Sequence, residues 1–399
     1  RLDIAVGRVL AETPQRAKEM VDKVEQYYQK EAYGSWRNNF LVVSDDVDVY
    51  WEEVLQRTTN EIADEVASTK PFINTIKVHS DSYVQEASAG GDRYPQVTSA
   101  MSDAIEVGAL VVNYFGHGGE DGLAKERIFE QPDAQNLRNI CKFNCFVTVT
   151  CEYTKFDNPD RPTAGEYTYW NKEGGAIGLI TTTRQIFVTT GVTFNRTLSE
   201  HLFAYNTNDY PSMAESLRLT KIDPAIANIS QKRLVFFIGD PAMKLAFAQP
   251  NIRLSKINDI PIGQPTDTLK ALSKIKIDGE VLDTSGNLMV DYNGILSASI
   301  YDKNIDRQTL ANDGTRQNQD GTGPIIQLDY ETLGEIIFRG QASVVNGVFT
   351  FEFVVPRDIG IPIDNGRISF YAKTENPLGD QAGVSTDILV GGINENAPE

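Results

Sequence analysis

The chain has 399 residues, a length that suggests two or three domains of ordinary size. Its 55 acidic and 37 basic residues give a net charge of −18 at pH 7, which argues against a protein that binds nucleic acid through a basic surface. Hydrophobic residues make up 41% and charged residues 23%, a balance that is typical of folded rather than disordered chains.

The two ends of the chain indicate a piece of a longer protein. The sequence begins with Arg1 instead of Met, and it contains neither a signal peptide nor an apolar run long enough to span a membrane. We therefore expect a soluble fragment whose targeting segments are missing. The final residues, 392–399, have the composition of a linker into a further domain.

Residues 1–248 alternate between helical periodicity and short apolar runs. Helices are predicted over 13–29, where Thr13 can cap and Pro14 can occupy the first turn, and over 48–67. Apolar runs rich in β-branched and aromatic residues predict strands at 40–44, 109–115, 143–150 and 175–183. Strands of this kind, separated by helices, indicate an α/β domain with a mostly parallel sheet and helices on both faces.

Residues 249–391 follow a different pattern. Strict alternation is clearest at 348–353, where Phe349, Phe351 and Phe353 share one face of a predicted strand. Turns rich in Gly, Asn and Asp recur at short intervals, which is typical of an all-β sandwich. The polar, glycine-rich stretch 312–323 predicts a long mobile loop.

Chemically reactive side chains follow three of the predicted strands. His117 lies in the glycine-rich segment 116–122, Cys151 follows the strand at 143–150, and Arg184 follows the strand at 175–183. In an open α/β sheet, ligands bind beyond the carboxyl ends of the strands. These strand ends are therefore the predicted active site.

A cysteine and a histidine at neighbouring strand ends can form a nucleophile and its general base. Gly118 and Gly119 have no side chains, so a substrate carbonyl could approach the backbone and accept a hydrogen bond. The amide of Cys151 would be the second oxyanion donor. Taken singly, Cys151 is better explained as a small buried hydrophobe and His117 as a turn residue, but with only three His and three Cys in the chain their joint position favours catalysis.

Other site chemistries fit the sequence less well. Zinc is disfavoured because Cys141, Cys145 and Cys151 run through one strand and cannot converge on an ion, so no metal site is predicted there. A serine hydrolase is disfavoured because no Gly-x-Ser-x-Gly occurs. His79 and His201 have no paired nucleophile and are interpreted as structural.

The residues around this pair resemble the gingipain-type cysteine peptidases. The resemblance covers nearly the whole chain and is strongest in the motifs at 113–119, 148–153, 156–159, 174–184 and 239–243. It implies a caspase-like catalytic domain followed by an immunoglobulin-like β-sandwich. In the family pattern Cys151 matches the nucleophile, His117 the general base and Gly118 an oxyanion-hole position. Glu152 and Tyr153 stand where the Arg- and Lys-specific members carry an Asn-Gly type pair, which puts a basic primary specificity in doubt.

The motifs are most similar to one branch, the sortase of the type IX secretion system of Bacteroidota. That resemblance implies an enzyme at the extracellular face of the outer membrane that removes C-terminal signal domains from cargo proteins. The resulting thioester would pass to water or to an amine on a surface glycolipid, and other secretion-system subunits would be partners. A general protein-degrading protease and a non-catalytic secretion scaffold remain alternatives.

Three features near the predicted site stay open. Arg184 could bind a substrate carboxylate or phosphate in the cleft, but a structural pair with Glu152 or Asp157 is the favoured interpretation. Glu152 is a cleft candidate, and several carboxylates could orient the dyad. The predicted chemistry requires no cofactor. The acidic clusters at 44–48 and 120–121 could bind a structural calcium ion, but solvated acidic faces are the favoured explanation.

Overall fold

The computed structural model describes residues 2–395. The chain divides into two compact units. The first contains the residues up to Ala32 together with Asn39–Phe247 and Arg307–Tyr330, and the second contains Tyr33–Asn38, Ala248–Asp306 and the residues from Glu331 onward. The sequence analysis placed a single boundary between residues 248 and 249. That boundary needs correction at two segments, 33–38 and 307–330, because each packs with the unit on the other side of it in the sequence.

The first unit contains seven α-helices and eight strands within the described residues. The helices are α1 Pro14–Tyr28, α2 Glu53–Thr69, α3 Pro95–Val107, α4 Gln131–Asn136, α5 Ala164–Trp170, α6 Val188–Leu202 and α7 Met213–Ile222. The strands are β1 Asn39–Ser44, β2 Asn74–His79, β3 Val111–Phe115, β4 Gly122–Leu123, β5 Phe129–Glu130, β6 Asn144–Thr148, β7 Ala176–Thr182 and β8 Val235–Ile238. Short 3₁₀ helices lie at Lys30–Ala32, Tyr50–Glu52, Ser80–Ser82 and Ser230–Leu234.

Six of these strands form one sheet in the order β2-β1-β3-β6-β7-β8. All neighbouring pairs are parallel except β7 and β8. The sheet is buried, and its strands contribute to an apolar core with residues of α3 and α5. The predicted α/β class with a mostly parallel sheet is confirmed.

The order of strands decides which sequence segments meet at the carboxyl edge of this sheet. β3 lies between β1 and β6, with Ser44 opposite Phe115 and Tyr114 opposite Thr148. The segments that follow these three strands therefore emerge side by side. They carry Asp45, His117 and Cys151.

The segment 307–330 is anchored in the first unit. The backbone amides of Ala311 and Asn312 donate to the Asp81 carboxylate at 3.1 and 2.9 Å, and the Asn312 side chain donates to the same carboxylate at 2.9 Å. Tyr330 packs edge-on against His79 with ring centroids 4.7 Å apart. Asp81 is a buried acceptor that the sequence pattern did not reveal, and it holds the first residue of the 312–323 stretch, Asn312. The mobility of the rest of that stretch stays a prediction.

The second unit is all β. Its strands are β9 Gln249–Ile257, β10 Ile260–Pro261, β11 Leu269–Ala271, β12 Lys274–Val281, β13 Gly294–Tyr301, β14 Ile305–Gln308, β15 Asp329–Thr332, β16 Ile336–Val345, β17 Val348–Val354, β18 Asp364–Glu375 and β19 Leu378–Ile393, of which β14 and β15 extend into the 307–330 segment. A 3₁₀ helix covers Ser35–Asn38.

Nine strands form one sheet in the order β10-β9-β12-β17-β16-β13-β18-β19-β11. A further pairing of β9 with β19 closes this sheet on itself, so the unit is a domain of the barrel or sandwich type. Phe349 and Phe353 are buried in its core and Phe351 packs against it, as the alternation predicts. The predicted all-β class of this part is confirmed.

The predicted linker 392–399 is only partly covered by the described residues. Gly392 and Ile393 belong to β19 and are therefore not linker, and residues 396–399 lie outside the described part of the chain. Within residues 2–395, none of the helices combines the length and the apolar character that crossing a membrane requires.

Candidate active site

A pocket of about 400 Å³ lies at the carboxyl edge of the parallel sheet, and both Cys151 and His117 line it. Cys151 follows β6 and His117 follows β3, the neighbouring strand. The Thr150 hydroxyl donates to the Gly116 carbonyl at 2.6 Å and so ties the two strand ends together. The two residues singled out from the sequence therefore share one cleft.

The backbone of His117 is held on both sides. Its amide donates to Asp45 Oδ2 at 2.7 Å, and its carbonyl oxygen accepts from the Tyr114 hydroxyl at 2.6 Å and from the Ala124 amide at 2.9 Å. Asp45 directly follows β1, the strand adjacent to β3. The imidazole is thus mounted on a loop whose main chain has little freedom.

The imidazole itself is bound by a buried carboxylate. His117 Nε2 lies 2.7 Å from Glu52 Oε1, and the Glu52 side chain is only 3% exposed. This hydrogen bond is the largest cause that raises the pKa of His117 above its usual value. With Nε2 engaged, Nδ1 is the nitrogen left to exchange a proton with a thiol.

Glu52 is the residue that sequence reasoning did not single out, because several carboxylates follow the first predicted strand. It ends the 3₁₀ turn Tyr50–Glu52, directly before α2. The Val49 amide donates to Glu52 Oε2 at 2.9 Å, so this carboxylate also closes the turn that carries it. The rule that ligands bind beyond the carboxyl ends of the strands predicts a functional residue in this region. Only the folded turn distinguishes Glu52 from Asp45, Asp46 and Asp48.

The Cys151 side chain is partly buried, and its Sγ donates to the carbonyl oxygen of Ile186 at 3.8 Å. The next residue, Glu152, has a φ of +52°, in the left-handed region that costs energy for a residue with a side chain. Glu152 Oε1 lies 3.5 Å from Lys155 Nζ. Lys155 also binds Glu120 Oε1, at 2.8 Å, so the Glu152 charge, which would oppose a thiolate beside it, shares this cation with Glu120.

Gly118 occupies a position where a side chain would not fit. A Cβ there would lie 2.8 Å from both Cγ2 and Oγ1 of Thr150, whereas a Cβ at Gly119 would meet open space. Within residues 2–395, the amides of Gly118 and Cys151 have no hydrogen-bond acceptor. Both amides can therefore donate to a substrate oxygen, and their role as an oxyanion hole stays a prediction.

Arg184 follows β7 and forms a two-pronged ion pair with Asp157. Its Nη1 and Nη2 donate to Asp157 Oδ1 and Oδ2 at 3.0 and 2.6 Å. This geometry agrees with the structural interpretation of Arg184, in which its side chain holds a loop. The partner is Asp157 and not Glu152. Both side chains are nearly half exposed, so the pair contributes little to stability.

The acidic segment after β1 is not a solvated face. Asp45 and Asp46 are almost fully buried, and with Glu126 they form a group whose carboxylate oxygens lie within 4.8 Å of one another. Burial raises the pKa of Asp45 to about 6, of Asp46 to about 9 and of Glu126 to about 7. The interpretation of residues 44–48 as a solvated acidic face is wrong for these side chains, because the β1 strand end carries them into the interior.

This carboxylate group has the donor chemistry of a hard cation site. Asp45 Oδ1 is buried and has no hydrogen-bond partner within the described residues. A second group, formed by Asp46, Asp48 and Asp313, shares Asp46 with the first. Protons or a divalent cation such as Ca²⁺ could offset the concentrated negative charge.

The other histidines and cysteines do not line the pocket that contains Cys151 and His117. His79 is buried, with Nδ1 2.8 Å from the Ser44 hydroxyl, and its pKa is lowered to about 3 by burial. His201 is paired with Asp223 at 3.7 Å. Burial raises the pKa of the Cys145 thiol to about 12, and all three cysteines are free. The interpretation of His79 and His201 as structural residues stays a prediction.

A thiol, an imidazole with a buried carboxylate partner, and two free backbone amides at one strand edge are the parts that acyl transfer through cysteine requires. On this fold they define the class of α/β cysteine peptidases. The chain belongs to Peptidase family C25, whose sequence model matches residues 1–246.

The solved structures to which this chain is similar are distant in sequence. The Arg-specific cysteine proteinase gingipain R superposes with a TM-score of 0.50 at 15% identity, over 98% of this chain and 75% of that chain. The complex of Porphyromonas gingivalis RgpB pro- and mature domains gives 0.49 at 14% identity, over 98% and 77%. Dimeric latent PorU from Porphyromonas gingivalis gives 0.33 at 15% identity, over 90% of this chain and 43% of that chain. No curated protein matches the sequence.

Proposed function

We propose that this chain is a cysteine endopeptidase in which Cys151 is the nucleophile, His117 the general base and Glu52 the group that orients the imidazole. The observation that carries the proposal is the hydrogen bond between Glu52 and His117, in a cleft that Cys151 also lines. A buried carboxylate bound to Nε2 stabilises the imidazolium that forms when the thiol loses its proton to Nδ1. Membership of Peptidase family C25 supports the same chemistry.

The reaction proceeds through a thioester. The Cys151 sulfur attacks the scissile carbonyl carbon, and the oxygen takes up negative charge opposite the amides of Gly118 and Cys151. The C–N bond then breaks, and His117 returns its proton to the leaving amine. A second nucleophile attacks the thioester and gives its proton to His117. The C–S bond then breaks, and the leaving Cys151 sulfur takes that proton back from His117, which restores the thiol. This chemistry requires no cofactor.

For the biological role we propose a sortase of the type IX secretion system. The enzyme would act at the extracellular face of the outer membrane on cargo with C-terminal signal domains, and other subunits of the secretion system would be its partners. The motifs around Cys151 and His117 support this role. A second pocket of about 580 Å³ also borders His117, where an amine of a glycolipid acceptor could approach. Its lining, from the 118–132 segment, includes the carboxylates Glu120, Asp121 and Glu130.

Two alternatives make different predictions. A general protein-degrading protease would cleave many unfolded proteins and would not require a signal domain. A non-catalytic scaffold would retain its full effect on secretion after Cys151→Ala. The family's chemistry and the orientation of His117 by Glu52 favour an enzyme over a scaffold.

The proposal is tested by labelling the intact chain with a peptide-like electrophile directed at thiols, followed by mass spectrometry to locate the modified residue. We expect fast, saturable labelling confined to Cys151 that is lost in Cys151→Ala and strongly slowed in His117→Ala. Cys141→Ala is the matched control and should label like the wild type. Slow labelling of all three cysteines alike would contradict the proposal.

The sortase role requires a second measurement. The chain is incubated with a cargo protein that carries its signal domain and with an added amine, and the new C-terminus is identified by mass spectrometry. Transfer to the amine supports the sortase role, because it shows that a bound amine reacts with the thioester faster than water does. Cleavage that yields only the hydrolysed product from any unfolded protein would favour the degrading protease.

The carboxylate group of Asp45, Asp46 and Glu126 is where we would assign a structural calcium ion. The ion would hold the strand end that fixes the His117 backbone. It would have no part in the reaction steps.

A further inference from the structure

We propose that the cleft beside Cys151 selects an apolar side chain at the residue whose carbonyl is attacked, and that it disfavours Arg and Lys there. This inference rests on the proposed peptidase function, whose substrate class it specifies. It is carried by the lining of the 400 Å³ pocket and by the separate pairing of the nearest charged groups.

The pocket that contains Cys151 has an apolar wall. Its lining contains no Asp, Glu, Lys or Arg, and its large side chains are Trp51, Phe115, Val149, Ile186, Phe187 and Val188. Trp51 and Phe187 are 43% and 72% exposed, although both are large hydrophobic residues. Exposed aromatic rings beside a reactive thiol are typical of a binding cleft that an apolar group covers.

The carboxylates near the cleft are engaged elsewhere. Glu52 binds the His117 imidazole, Asp157 binds Arg184, and Glu152 shares Lys155 with Glu120. A guanidinium or ammonium group in the pocket would therefore lose water without gaining a counter-charge. Such desolvation without a partner is costly, so the binding of basic side chains is disfavoured.

The walls of the pocket are held in place by named contacts. The Phe187 amide and the Thr190 hydroxyl both donate to Gln231 Oε1, at 3.0 and 2.9 Å, which fixes the turn into α6. On the opposite side, the Trp51 ring packs edge-on against the His117 ring at 6.0 Å. The apolar surface is thus formed before substrate arrives, and binding need not create it.

The size of the preference follows from apolar burial. One methylene group in a hydrophobic pocket discriminates by about 10- to 200-fold. We expect a peptide electrophile with leucine at the reacting position to label Cys151 at least about tenfold faster than the matched peptide with arginine.

Thr189 provides a matched pair of variants. It lines the pocket, is exposed, and lies in the first turn of α6, where a carboxylate is favoured by the helix dipole. Thr189→Asp adds a charge to the pocket, and Thr189→Asn adds an amide of the same shape without the charge. We expect Thr189→Asp to reduce the leucine preference about tenfold or more and Thr189→Asn to preserve it.

The experiment uses acyloxymethyl ketone peptides that differ only at the reacting residue. The Cys151 sulfur displaces the carboxylate from the methylene carbon and forms a stable thioether, and the label is located by mass spectrometry. Phe187→Ala should slow only the leucine probe. Val107, another exposed apolar residue, lies outside the pocket, so Val107→Ala should change neither rate.

Three outcomes are distinguishable. Faster labelling by the leucine probe, with the preference reduced only in Thr189→Asp, supports the inference. Specific labelling of Cys151 with equal or faster reaction of the arginine probe overturns the inference and leaves the peptidase function intact. Reaction of both probes with Cys151 at the rate of an ordinary free thiol contradicts the proposed function, and the inference falls with it.

Discussion

Glu52 Oε1 lies 2.7 Å from Nε2 of His117, and the carboxylate is buried where the turn after β1 enters α2. β1 and β3 are neighbours in the sheet, so a residue near position 50 can support one near position 117. This contact supplies the third member of the proposed catalytic group. It also sets the direction in which the pKa of His117 is shifted.

We predict that Glu52→Gln lowers the pKa of His117, because the carboxylate hydrogen bond is the largest cause that raises it. The rate of Cys151 alkylation should fall by about 10- to 100-fold, within or below the range that a positioned proton-transfer group contributes. Its pH profile should shift towards acid. Glu53→Gln, which removes a partly exposed carboxylate paired with Arg57, is the control. An unchanged pH profile for Glu52→Gln would show that the carboxylate does not act through His117.

A comparison of Gly118→Ala with Gly119→Ala tests the oxyanion position. The new methyl group at 118 would lie 2.8 Å from Thr150 side-chain atoms, so the loop must shift, whereas the one at 119 meets open space. We expect Gly118→Ala to reduce peptide cleavage by about 10- to 100-fold and Gly119→Ala to change it little. Iodoacetamide, which forms no oxyanion, should alkylate Cys151 at similar rates in both. Equal cleavage by the two variants would be evidence against this role of Gly118.

The buried Asp46 should make the first unit less stable as the pH rises. Its folded-state pKa of about 9 exceeds its ordinary value of 3.8, so the folded chain holds a proton that the unfolded chain releases. The stability linked to this proton is complete below about pH 4 and is lost progressively as the pH approaches 9. Asp46→Asn should therefore raise the thermal stability at pH 8, by about 1 kcal/mol or more, and have a smaller effect at pH 5.

Thermal unfolding in the presence of a chelator measures this effect, and Asp103→Asn, which removes an exposed carboxylate of α3, is the control. Greater destabilisation of Asp46→Asn at pH 8 than at pH 5 would contradict the expected sign. Thermal unfolding with added Ca²⁺ then tests whether the group of Asp45, Asp46 and Glu126 binds calcium. If the carboxylate group binds calcium, the wild type should gain stability and Asp46→Asn should gain much less.

Arg184→Ala should have little effect if the side chain only braces its loop. The pair with Asp157 is nearly half exposed, and exposed ion pairs contribute about 0–1 kcal/mol. We expect a loss of less than about 1 kcal/mol in the free energy of unfolding and a change of less than about threefold in kcat/KM. Asp157→Ala should behave in the same way. A large increase in KM for Arg184→Ala alone would instead assign the guanidinium to substrate binding.

The second unit contains a largely buried ion pair whose loss should lower its free energy of unfolding more than the loss of an exposed charge. Arg37 Nη1 lies 2.7 Å from Asp380 Oδ2, which also accepts from the Tyr371 hydroxyl at 2.8 Å. Asp380→Ala removes a charged hydrogen-bond acceptor from Arg37 and Tyr371 and should cost about 1.5–3 kcal/mol. Asp387→Ala, on the same strand but exposed, should cost less than about 0.5 kcal/mol. Urea unfolding, with hydrogen exchange of β18 and β19, gives the two values, and similar losses in both variants would refute the argument.

The sequence by itself determined the two structural classes and the location of the chemistry. Buried parallel strands have continuous apolar runs, and half-buried antiparallel strands alternate, so the change of pattern near residue 248 is visible without a structure. The rule that ligands bind at the carboxyl ends of parallel strands directed attention to His117 and Cys151. The structural classes and the strand ends can both be recognised from sequence patterns that extend over only a few residues.

Only the tertiary structure decided which distant residues surround that chemistry. Glu52 could not be separated from its acidic neighbours, because the choice depends on the turn before α2 and on the pairing of β1 with β3. The same holds for the burial of Asp45 and for the anchoring of 307–330 by Asp81. Each is a contact between segments far apart in the chain, and strand order and packing, which no local pattern encodes, determine whether such a contact forms.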